Sequence, residues 1–290
     1  MRRLLPVTDA SPILSAPAAP GSAPDADDRT AALHALADAY AYPADTRPGR
    51  PWLRANMVSS ADGAARYDGR SEGLSSPGDK QIFGVLRALA DVVLVGAETV
   101  RTEGYRPAKA RSVFAERRAA AGQAPAPAIA IVSSRLDLDL TAPLFTEPLV
   151  PTVVLTVADA PADRLAEAER VADVVRLGEG RVDLAAAVRW LDAERGWCRQ
   201  LTEGGPRLLG QLAALDLVDE LDLALSPLMC AGEAPRITNG PSADVRMRLE
   251  LLLEEDGFLF ARYLRPRGAD AAGADPAGTD PVGTDAADGD

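Results

Sequence analysis

Histidine and cysteine are scarce in this chain of 290 residues, which has one histidine, His34, and two cysteines, Cys198 and Cys230. So few metal-binding side chains, with no Cys-x-x-Cys spacing, do not make a zinc site or a disulfide framework. The single histidine, in a polar N-terminal region, also gives no support to a Ser–His nucleophile. We therefore predict no metal site, and a reducing cytoplasm is the simplest location for the chain.

Positive charge and long apolar runs are also scarce. The formal net charge is −12, whereas a protein that neutralises the phosphates of nucleic acid needs a basic face. No run approaches the roughly 18 apolar residues of a membrane helix, and Asp9 interrupts the N-terminal stretch before a signal-peptide core can form. We predict that neither nucleic acid nor a membrane is a partner. Because no basic residue follows Arg267, part of the negative charge is local, which leaves room for an anionic substrate.

Several catalytic motifs are missing from the sequence. There is no G-x-G-x-x-G, no G-x-x-x-x-G-K-[ST] and no G-x-S-x-G, which removes an ordinary Rossmann fingerprint, a P-loop and a hydrolase nucleophile elbow. The H-x-E and P-C-x-x-C signature of zinc deaminases is absent as well. No nucleophilic centre is therefore visible.

The chain divides by composition into three parts. Residues 1–28 are rich in Ala, Pro, Ser and Asp without periodicity, so we predict a disordered N-terminal segment. Residues 29–266 carry the periodic apolar segments of a single domain, and a short helical pattern that ends at Tyr40 is expected to dock on it. Residues 267–290 repeat a five-residue acidic unit and are predicted to be a disordered tail.

Strand-like and helix-like segments alternate within the predicted domain. Continuous apolar runs such as 91–96 are typical of strands covered on both faces, and Pro77 suits the first turn of an amphipathic helix. The alternation predicts an α/β fold, with a mostly parallel sheet and helices on both faces. Asp256-Gly257, between the last two apolar runs, predicts a C-terminal antiparallel hairpin. The predicted strands are 52–59, 91–96, 128–134, 152–157, 198–202, 220–225, 249–254 and 258–264, and the predicted helices are 77–90, 162–170, 183–195 and 206–215.

The junctions after the predicted strands are the candidate sites, because ligands of open α/β sheets bind at the carboxyl ends of strands. Gly96–Val100 and the double glycine within Thr202–Pro206 can bring backbone amides close to phosphate oxygens. Ser133–Arg135 offers two hydroxyls and a guanidinium, which suit the 2′-phosphate of a dinucleotide. The loop Ser59–Gly63 suits a mobile flap over a nicotinamide ring. Each segment is also compatible with an ordinary turn.

Five segments, in this order, resemble the pyrimidine reductase domain of riboflavin biosynthesis, a branch of the dihydrofolate-reductase-like fold. They are Ser60-Ala61-Asp62-Gly63, Leu86-Arg87-Ala88, the run from Asp91 to Val100, Glu203-Gly204-Gly205-Pro206-Arg207-Leu208, and Leu217-Val218-Asp219-Glu220-Leu221. The resemblance covers residues 50–264. It implies an NADPH-dependent oxidoreductase that delivers hydride to C1′ of a ribosylamino-pyrimidine 5′-phosphate and opens the ribose to a ribityl chain. The lack of the deaminase half found in many members implies a stand-alone reductase.

The resemblance also implies a set of site residues. Its catalytic carboxylates are Glu203 and Asp62, and Glu203 is expected to bind ribose hydroxyls or to assist proton transfer. The residues expected to line the cofactor are Gly63, Gly96, Thr99, Val100, Ser133, Ser134, Arg135, Gly204, Gly205 and Leu208. The residues expected to hold the substrate are Asn56, Ser71, Arg87, Glu103 and Lys109, with Arg87 placed on the 5′-phosphate.

One stretch departs from the family pattern. Where the family often has D-D-P-x-L-T-x-R, Glu103 replaces the first Asp, Gly104 stands at the second, and Ala110 stands at the arginine. Lys109 or Arg106 must then supply any second contact to phosphate.

The sequence alone leaves open which ring system the substrate carries. Asn56 stands where many bacterial members have lysine, which resembles the diaminopyrimidine branch, and its amide can read a ring carbonyl or a ring amine. A pterin reductase with Asp79 on the amino-imine edge is one alternative, and a non-catalytic nucleotide-binding protein is another. By analogy with the family, which pairs through a sheet edge, we expect a homodimer, and the apolar strand segment 251–253 is suited to being covered.

Overall fold

A single ten-stranded sheet forms the centre of the fold in the computed structural model, which describes residues 1–6 and 26–267. Its strands are β1 (Arg2–Leu5), β2 (Trp52–Ser60), β3 (Val92–Gly96), β4 (Ala128–Val132), β5 (Val153–Thr156), β6 (Asp173–Arg176), β7 (Arg199–Thr202), β8 (Glu220–Ser226), β9 (Arg248–Glu255) and β10 (Phe258–Leu264). The strand order is β1-β9-β10-β8-β2-β7-β3-β4-β5-β6. The run from β8 to β6 is parallel, and β1, β9 and β10 add antiparallel pairs, which confirms the predicted sheet.

Helices cover both faces of this sheet. They are α1 (Ala26–Ala39), α2 (Pro77–Leu89), α3 (Ala97–Glu103), α4 (Ala115–Ala120), α5 (Pro143–Thr146), α6 (Ala162–Ala168), α7 (Leu184–Arg195) and α8 (Pro206–Ala214). Helix α3 and strand β6 are elements that the sequence patterns did not predict. Across the described residues, no helix is both long enough and apolar enough to cross a membrane.

Strand β3 shows why the continuous apolar runs indicate strands with two buried faces. Val93 and Val95 pack into one core cluster, which includes residues of α1 and α2. Val92 and Leu94 point to the opposite face and pack into a second cluster, which includes residues of α7 and α8. Because side chains alternate along a strand, both sets of positions must be apolar when both faces are covered.

Local signals fix the ends of the elements next to the site. Helix α2 begins at Pro77, and the Ser76 hydroxyl accepts a hydrogen bond from the Asp79 N–H at 3.1 Å. This is the N-cap arrangement that satisfies an otherwise unpaired helix donor. In the closing hairpin, Asp256 and Gly257 have φ angles of 51° and 82°, as the predicted two-residue turn requires.

Residues 1–28 were predicted to be disordered, and the structure differs from this prediction at both ends of that segment. Residues 2–5 form β1, which pairs antiparallel with β9 and covers the edge of the C-terminal hairpin. Helix α1 begins at Ala26, and Leu36 within it and Tyr40 directly after it are buried, as the predicted docking requires. The remainder of the predicted disordered segment, residues 7–25, and tail residues 268–290 lie outside the described residues.

Four charged side chains are buried where α1 meets the sheet. Arg54 of β2 lies 2.8 Å from Glu220 and 3.2 Å from Asp222, both of β8, and Arg262 of β10 binds Glu220 at 2.7 Å. Arg54 also donates to the Tyr40 carbonyl at 2.7 Å. Burial, and then the charge of Glu220, hold the pKa of Asp222 well above its usual range. This cluster ties the end of α1 to three strands.

Candidate active site

Two glycine junctions meet at the carboxyl edge of the sheet. Strands β3 and β7 are parallel neighbours, so their ends lie side by side. The Gly96 N–H donates to the Gly204 carbonyl at 2.9 Å, and a Cβ placed on Gly96 would lie 3.7 Å from the Gly205 nitrogen. Gly204 has φ of 76°, a conformation that other residues rarely adopt. The two junctions that the sequence indicated as separate candidates are therefore one structural unit.

A cavity of about 760 Å³ opens beside this unit, between α2 and the segment 103–111. One face of α2 lines it, because Asp79, Phe83 and Arg87 recur at the spacing of one helical turn. The predicted site residues that line the cavity are Asn56, Ser71, Arg87, Thr99, Glu103, Lys109, Glu203 and Gly205. The structure thus brings together all five predicted substrate residues and two of the ten predicted cofactor residues, Thr99 and Gly205.

Glu203 is held at the cavity wall by two neighbours. Arg87 donates from Nε to one carboxylate oxygen at 2.6 Å and from Nη2 to the other at 2.7 Å. The Tyr105 hydroxyl donates to the second oxygen as well. A carboxylate has about four lone-pair sites, so these three donors leave about one for a ligand. Arg87, the residue expected on the 5′-phosphate, uses two of its guanidinium nitrogens to bind Glu203.

Burial and charge set the protonation of the two donors. For Tyr105, burial and then the Glu203 carboxylate hold the pKa well above its usual range, so the hydroxyl keeps its proton. For Arg87, burial acts to lower the pKa, but the attraction of Glu203 outweighs it and the pKa is raised. The guanidinium also lies 4.4 Å from the centre of the Phe83 ring and 5.3 Å from that of Tyr105. Arg87 therefore stays charged between two aromatic rings.

Asp62, predicted beside the reacting sugar, does not line the cavity. Its carboxylate accepts hydrogen bonds from the Ser60 hydroxyl, from the Cys230 N–H at 3.0 Å and from the Ala231 N–H at 2.7 Å. These bonds, led by that of Ser60, lower the pKa of Asp62 to about 2. The residue ties the loop after β2 to the loop after β8, and a catalytic role for this carboxylate stays a prediction. Gly63, in the same turn, also lies outside the cavity wall.

The remaining predicted cofactor residues differ in exposure. Ser133 is buried, and its hydroxyl accepts a hydrogen bond from the Leu136 N–H at 3.0 Å, which occupies it locally. Ser134 is half-buried and Arg135 is exposed at the end of β4. Val100 and Leu208 are buried and belong to the core clusters on opposite faces of the sheet. They support the glycine unit from below and do not line the cavity.

Two of the predicted substrate residues are linked to each other. The Ser71 N–H donates to the Glu103 carboxylate at 3.1 Å, which ties the loop before α2 to the end of α3. Asn56 is half-buried on β2, with its side chain at the cavity. Asp79 is 8% exposed and also lines the cavity, and its carboxylate accepts from the Ser75 hydroxyl. Burial raises the pKa of Asp79.

The cavity is more basic than the chain as a whole. Its cationic lining residues are Arg66, Lys80, Arg87, Arg106, Lys109, Arg111 and Arg118, and its acidic lining residues are Glu72, Asp79, Glu103 and Glu203. An anionic ligand is attracted to such a wall even when the net charge of the protein is negative.

Sequence reasoning missed Tyr105 and Arg111 as site residues. Tyr105 reaches the cavity because Gly104 ends α3 in the left-handed conformation, with φ of 64°, and turns the chain back over Arg87. Gly104 is the sequence signal for this turn, since a glycine commonly ends a helix, but in the sequence it stands out only as a departure from the family pattern. Arg111 had no signal of its own, since its neighbour Ala110 stands at the position of the family's arginine.

Comparison with known proteins agrees with the fold and the cavity. The sequence pattern of the RibD C-terminal domain matches residues 51–255. The 2,5-diamino-6-ribosylamino-4(3H)-pyrimidinone 5′-phosphate reductase of Archaeoglobus fulgidus is 31% identical over 203 residues, which cover 69% of this chain and 92% of the relative. The protein of the same name from Methanothermobacter thermautotrophicus is 29% identical over 208 residues, covering 70% and 91%.

A solved structure supports the same assignment. A pyrimidine reductase-like protein from Corynebacterium diphtheriae superimposes with a TM-score of 0.68 at 28% identity, covering 75% of this chain and 93% of that one. The resemblance inferred from five short segments is therefore confirmed over most of the chain. The chain belongs to the RibD C-terminal domain family.

Proposed function

We propose that this chain reduces a ribosylamino-pyrimidine 5′-phosphate to its ribitylamino form, in riboflavin biosynthesis, with NADPH as the hydride donor. The observation that carries this proposal is that the double-glycine strand end and a cationic wall open into one cavity. The names of the relatives in Archaeoglobus and Methanothermobacter favour the 2,5-diamino form of the substrate. Asn56 at the cavity is consistent with that form, because an amide can pair with a ring amine or a ring carbonyl.

The residues at the glycine unit suit a pyridine dinucleotide. Gly205 is the glycine of this unit that lines the cavity, so its backbone is the part of the unit open to a dinucleotide. The Gly96 N–H already donates to the Gly204 carbonyl at 2.9 Å, and the Gly204 N–H donates to the Thr202 hydroxyl at 3.2 Å. A Cβ on Gly205 would overlap the Thr99 hydroxyl, which shows how closely the two strand ends approach. Bound there, NADPH supplies the hydride. The chain's part would be to hold the dinucleotide and the substrate close together and to keep water away from the reacting carbon.

Overall, hydride adds to C1′, the bond from C1′ to the ring oxygen breaks, and that oxygen takes up a proton. In the proposal Glu203 accepts a hydrogen bond from a ribose hydroxyl through its one remaining lone-pair site. Arg87 and Tyr105 hold the carboxylate in place for this contact. The hydrogen bond from the Ser71 N–H to Glu103 holds two segments of the cavity wall together.

The preference for NADPH over NADH is proposed to come from the end of β4. Ser134 and Arg135 are accessible there, whereas the Ser133 hydroxyl is occupied by the Leu136 N–H. Replacing Arg135 by Ala is expected to lower the ratio of kcat/KM for NADPH to that for NADH by about 10-fold, the value of one charge-assisted phosphate contact. An unchanged ratio would remove Arg135 from the cofactor site.

A second candidate function, reduction of a pterin, is favoured by one observation. Asp79 is a buried carboxyl at the cavity that accepts a hydrogen bond from the Ser75 hydroxyl, and such a group suits an amino-imine edge. Assays with dihydrofolate and with the ribosylamino-pyrimidine phosphate, each followed by loss of NADPH, distinguish the two functions. The proposed function requires a kcat/KM for the pyrimidine at least 100-fold above that for dihydrofolate, and the reverse order would replace it by the second candidate.

A homodimer in the cytoplasm completes the proposal. Both cysteines are free thiols, as a reducing compartment favours. The apolar segment 251–253, which was expected to be covered by a second subunit, lies in β9 and is covered within the chain by β1. Pairing of two chains therefore has to use another surface. Light scattering that gives the mass of one chain would remove the homodimer from the proposal.

A further inference from the structure

We propose that Arg111, seated against Gly84 of α2, is the main contact for the phosphate of the substrate, in a subsite that takes a phosphate monoester dianion. The identity of the ligand rests on the proposed function, which this inference deepens. It replaces the sequence-based expectation that Arg87, Lys109 or Arg106 fills this role.

Gly84, which has no side chain, leaves the space that the guanidinium of Arg111 occupies. A Cβ placed on Gly84 would overlap Nη1 of Arg111 and would lie 3.1 Å from its Cζ. Gly84 faces the cavity one turn before Arg87 and Ala88, so the guanidinium lies against the cavity face of α2. Glycine in the middle of a helix is unfavourable, and here the missing side chain leaves the space that Arg111 occupies.

Arg111 has no acidic partner in the described part of the chain. Its ring contact is with Phe114, whose centre lies 5.5 Å from the guanidinium carbon. Burial lowers the pKa of Arg111, and none of the ion pairs between described residues involves its guanidinium. A half-buried guanidinium without a counter-ion is stabilised by a bound anion.

The other cations of the cavity are less suited to this contact. Arg66 lies 3.8 Å from Glu98, and Arg106 is exposed to solvent, whereas Arg111 is half-buried. Arg87 donates two hydrogen bonds to Glu203, and Lys80 lies 3.1 Å from Glu72. Arg118 donates to the carbonyl oxygens of Ala88 and Ala90 at 2.8 Å. Lys109 lines the same wall two residues before Arg111 and supplies a second positive charge. A planar fork binds phosphate oxygens in pairs, which a lysine cannot do.

The position of this subsite agrees with the shape of the ligand. Gly84 and Arg87 are three residues apart on α2, which corresponds to about 4.5 Å along the helix axis. An anion at Arg111 therefore lies about one turn from the Arg87–Glu203 pair. In a ribose 5′-phosphate the phosphate is at the opposite end of the sugar from C1′, so C1′ can face Glu203 while the phosphate faces Arg111.

Three variants test the subsite. R111Q removes the guanidinium, and G84A displaces it with a single methyl group while it improves helix propensity. Arg117 is the matched control, because R117Q removes the same charge from a surface arginine that pairs with Asp38. The readout is the ratio of kcat/KM for the phosphorylated substrate to that for its dephosphorylated form. A second readout, which needs no turnover, is the rise in Tm that inorganic phosphate produces.

We expect R111Q and G84A to lower that ratio roughly 10- to 100-fold and to abolish the rise in Tm, with no loss of Tm in G84A without phosphate. R117Q should leave both readouts as in the wild type. Wild-type turnover with an unchanged ratio in R111Q and G84A would overturn this inference alone. A wild type that stays inactive on the substrate would overturn the proposed function, and the Tm readout would still decide the role of Arg111.

Discussion

The guanidinium of Arg87 donates a hydrogen bond to each carboxylate oxygen of Glu203, from Nε at 2.6 Å and from Nη2 at 2.7 Å, in the wall of the cavity. The two residues are 116 positions apart, one on α2 and the other just after β7. A bidentate pair of this kind fixes the plane of the carboxylate as well as its position. The packing of α2 on the sheet therefore determines where the one free lone-pair site of Glu203 points.

Replacing Glu203 by Gln is expected to lower kcat about 100-fold. The amide is neutral and cannot accept from both Arg87 nitrogens, so the contact to ribose is lost and Arg87 is left without its counter-ion. We also expect the free energy of unfolding to fall by about 1–3 kcal/mol, less than for a fully buried pair because Arg87 is partly exposed. Steady-state kinetics and urea unfolding measure the two effects. E250Q is the matched control, since Glu250 pairs with Arg248 at the surface and does not line the cavity, and a fully active E203Q would end the role of Glu203.

The Tyr105→Phe variant isolates the hydroxyl that binds Glu203. The ring remains near Arg87, so the cation–π contact is kept and one hydrogen bond is removed. We expect kcat to fall about 10-fold with KM for NADPH unchanged, because one charge-assisted hydrogen bond is worth about 1.5–3 kcal/mol and Arg87 still holds the carboxylate. In a double-variant cycle, Y105F should have little further effect on E203Q. Equal effects in both backgrounds would show that Tyr105 acts independently of Glu203.

The Gly205→Ala variant tests the close approach of the two strand ends. Its methyl group would overlap the Thr99 hydroxyl, so α3 and the glycine unit must separate. We expect the Kd for NADPH, measured by fluorescence titration, to rise at least 10-fold. The added variant T99A removes the overlapping atom and should restore part of the affinity. No recovery in the double variant would mean that the backbone of Gly205 itself, and not its packing on Thr99, carries the effect.

The Asp62→Asn variant separates loop anchoring from catalysis. We expect kcat to stay within about 3-fold of wild type and Tm at neutral pH to fall, since the amide loses a charge-assisted acceptor for the Cys230 and Ala231 N–H groups. The pKa of Asp62, about 2 in the folded chain, lies below its ordinary value of about 3.9. Its contribution to stability is therefore complete above about pH 4 and is lost as the pH falls towards 2.

Thermal unfolding across that pH range provides the check. The difference in Tm between wild type and D62N should shrink between about pH 4 and pH 2. A difference that is constant over this range would show that the ionised carboxylate is not what anchors the loop. A large loss of kcat at unchanged Tm would place Asp62 in the catalytic set.

Apart from α3, the strands and helices around the glycine unit were predictable because their signals are local. The alternation of buried faces along β3, Pro77 at the start of α2 and Asp256-Gly257 in the hairpin each follow from short-range chemistry. Strand β1 was not predictable in this way. Its four residues become a strand only by pairing with β9, about 250 positions away, and nothing in their own sequence shows that partner.

The site residues also divide into those that local sequence signals predict and those whose place depends on distant partners. The glycine junctions and Glu203 follow directly from strands, so their meeting at one edge was foreseeable from the parallel sheet. The roles of Asp62 and Arg87 depended on which side chain faces which, and the structure gave both residues partners that the sequence does not indicate. Arg111 is the extreme case, because its place depends on a glycine 27 positions earlier, on the face of another element.

Turnover of the ribosylamino-pyrimidine 5′-phosphate with NADPH, followed by loss of NADPH and by identification of the product, tests the central claim most directly. The account predicts one ribitylamino product for each NADPH consumed, and a rate that falls about 100-fold in E203Q. Absence of NADPH oxidation with this substrate, in protein that is folded and binds the dinucleotide, would contradict it.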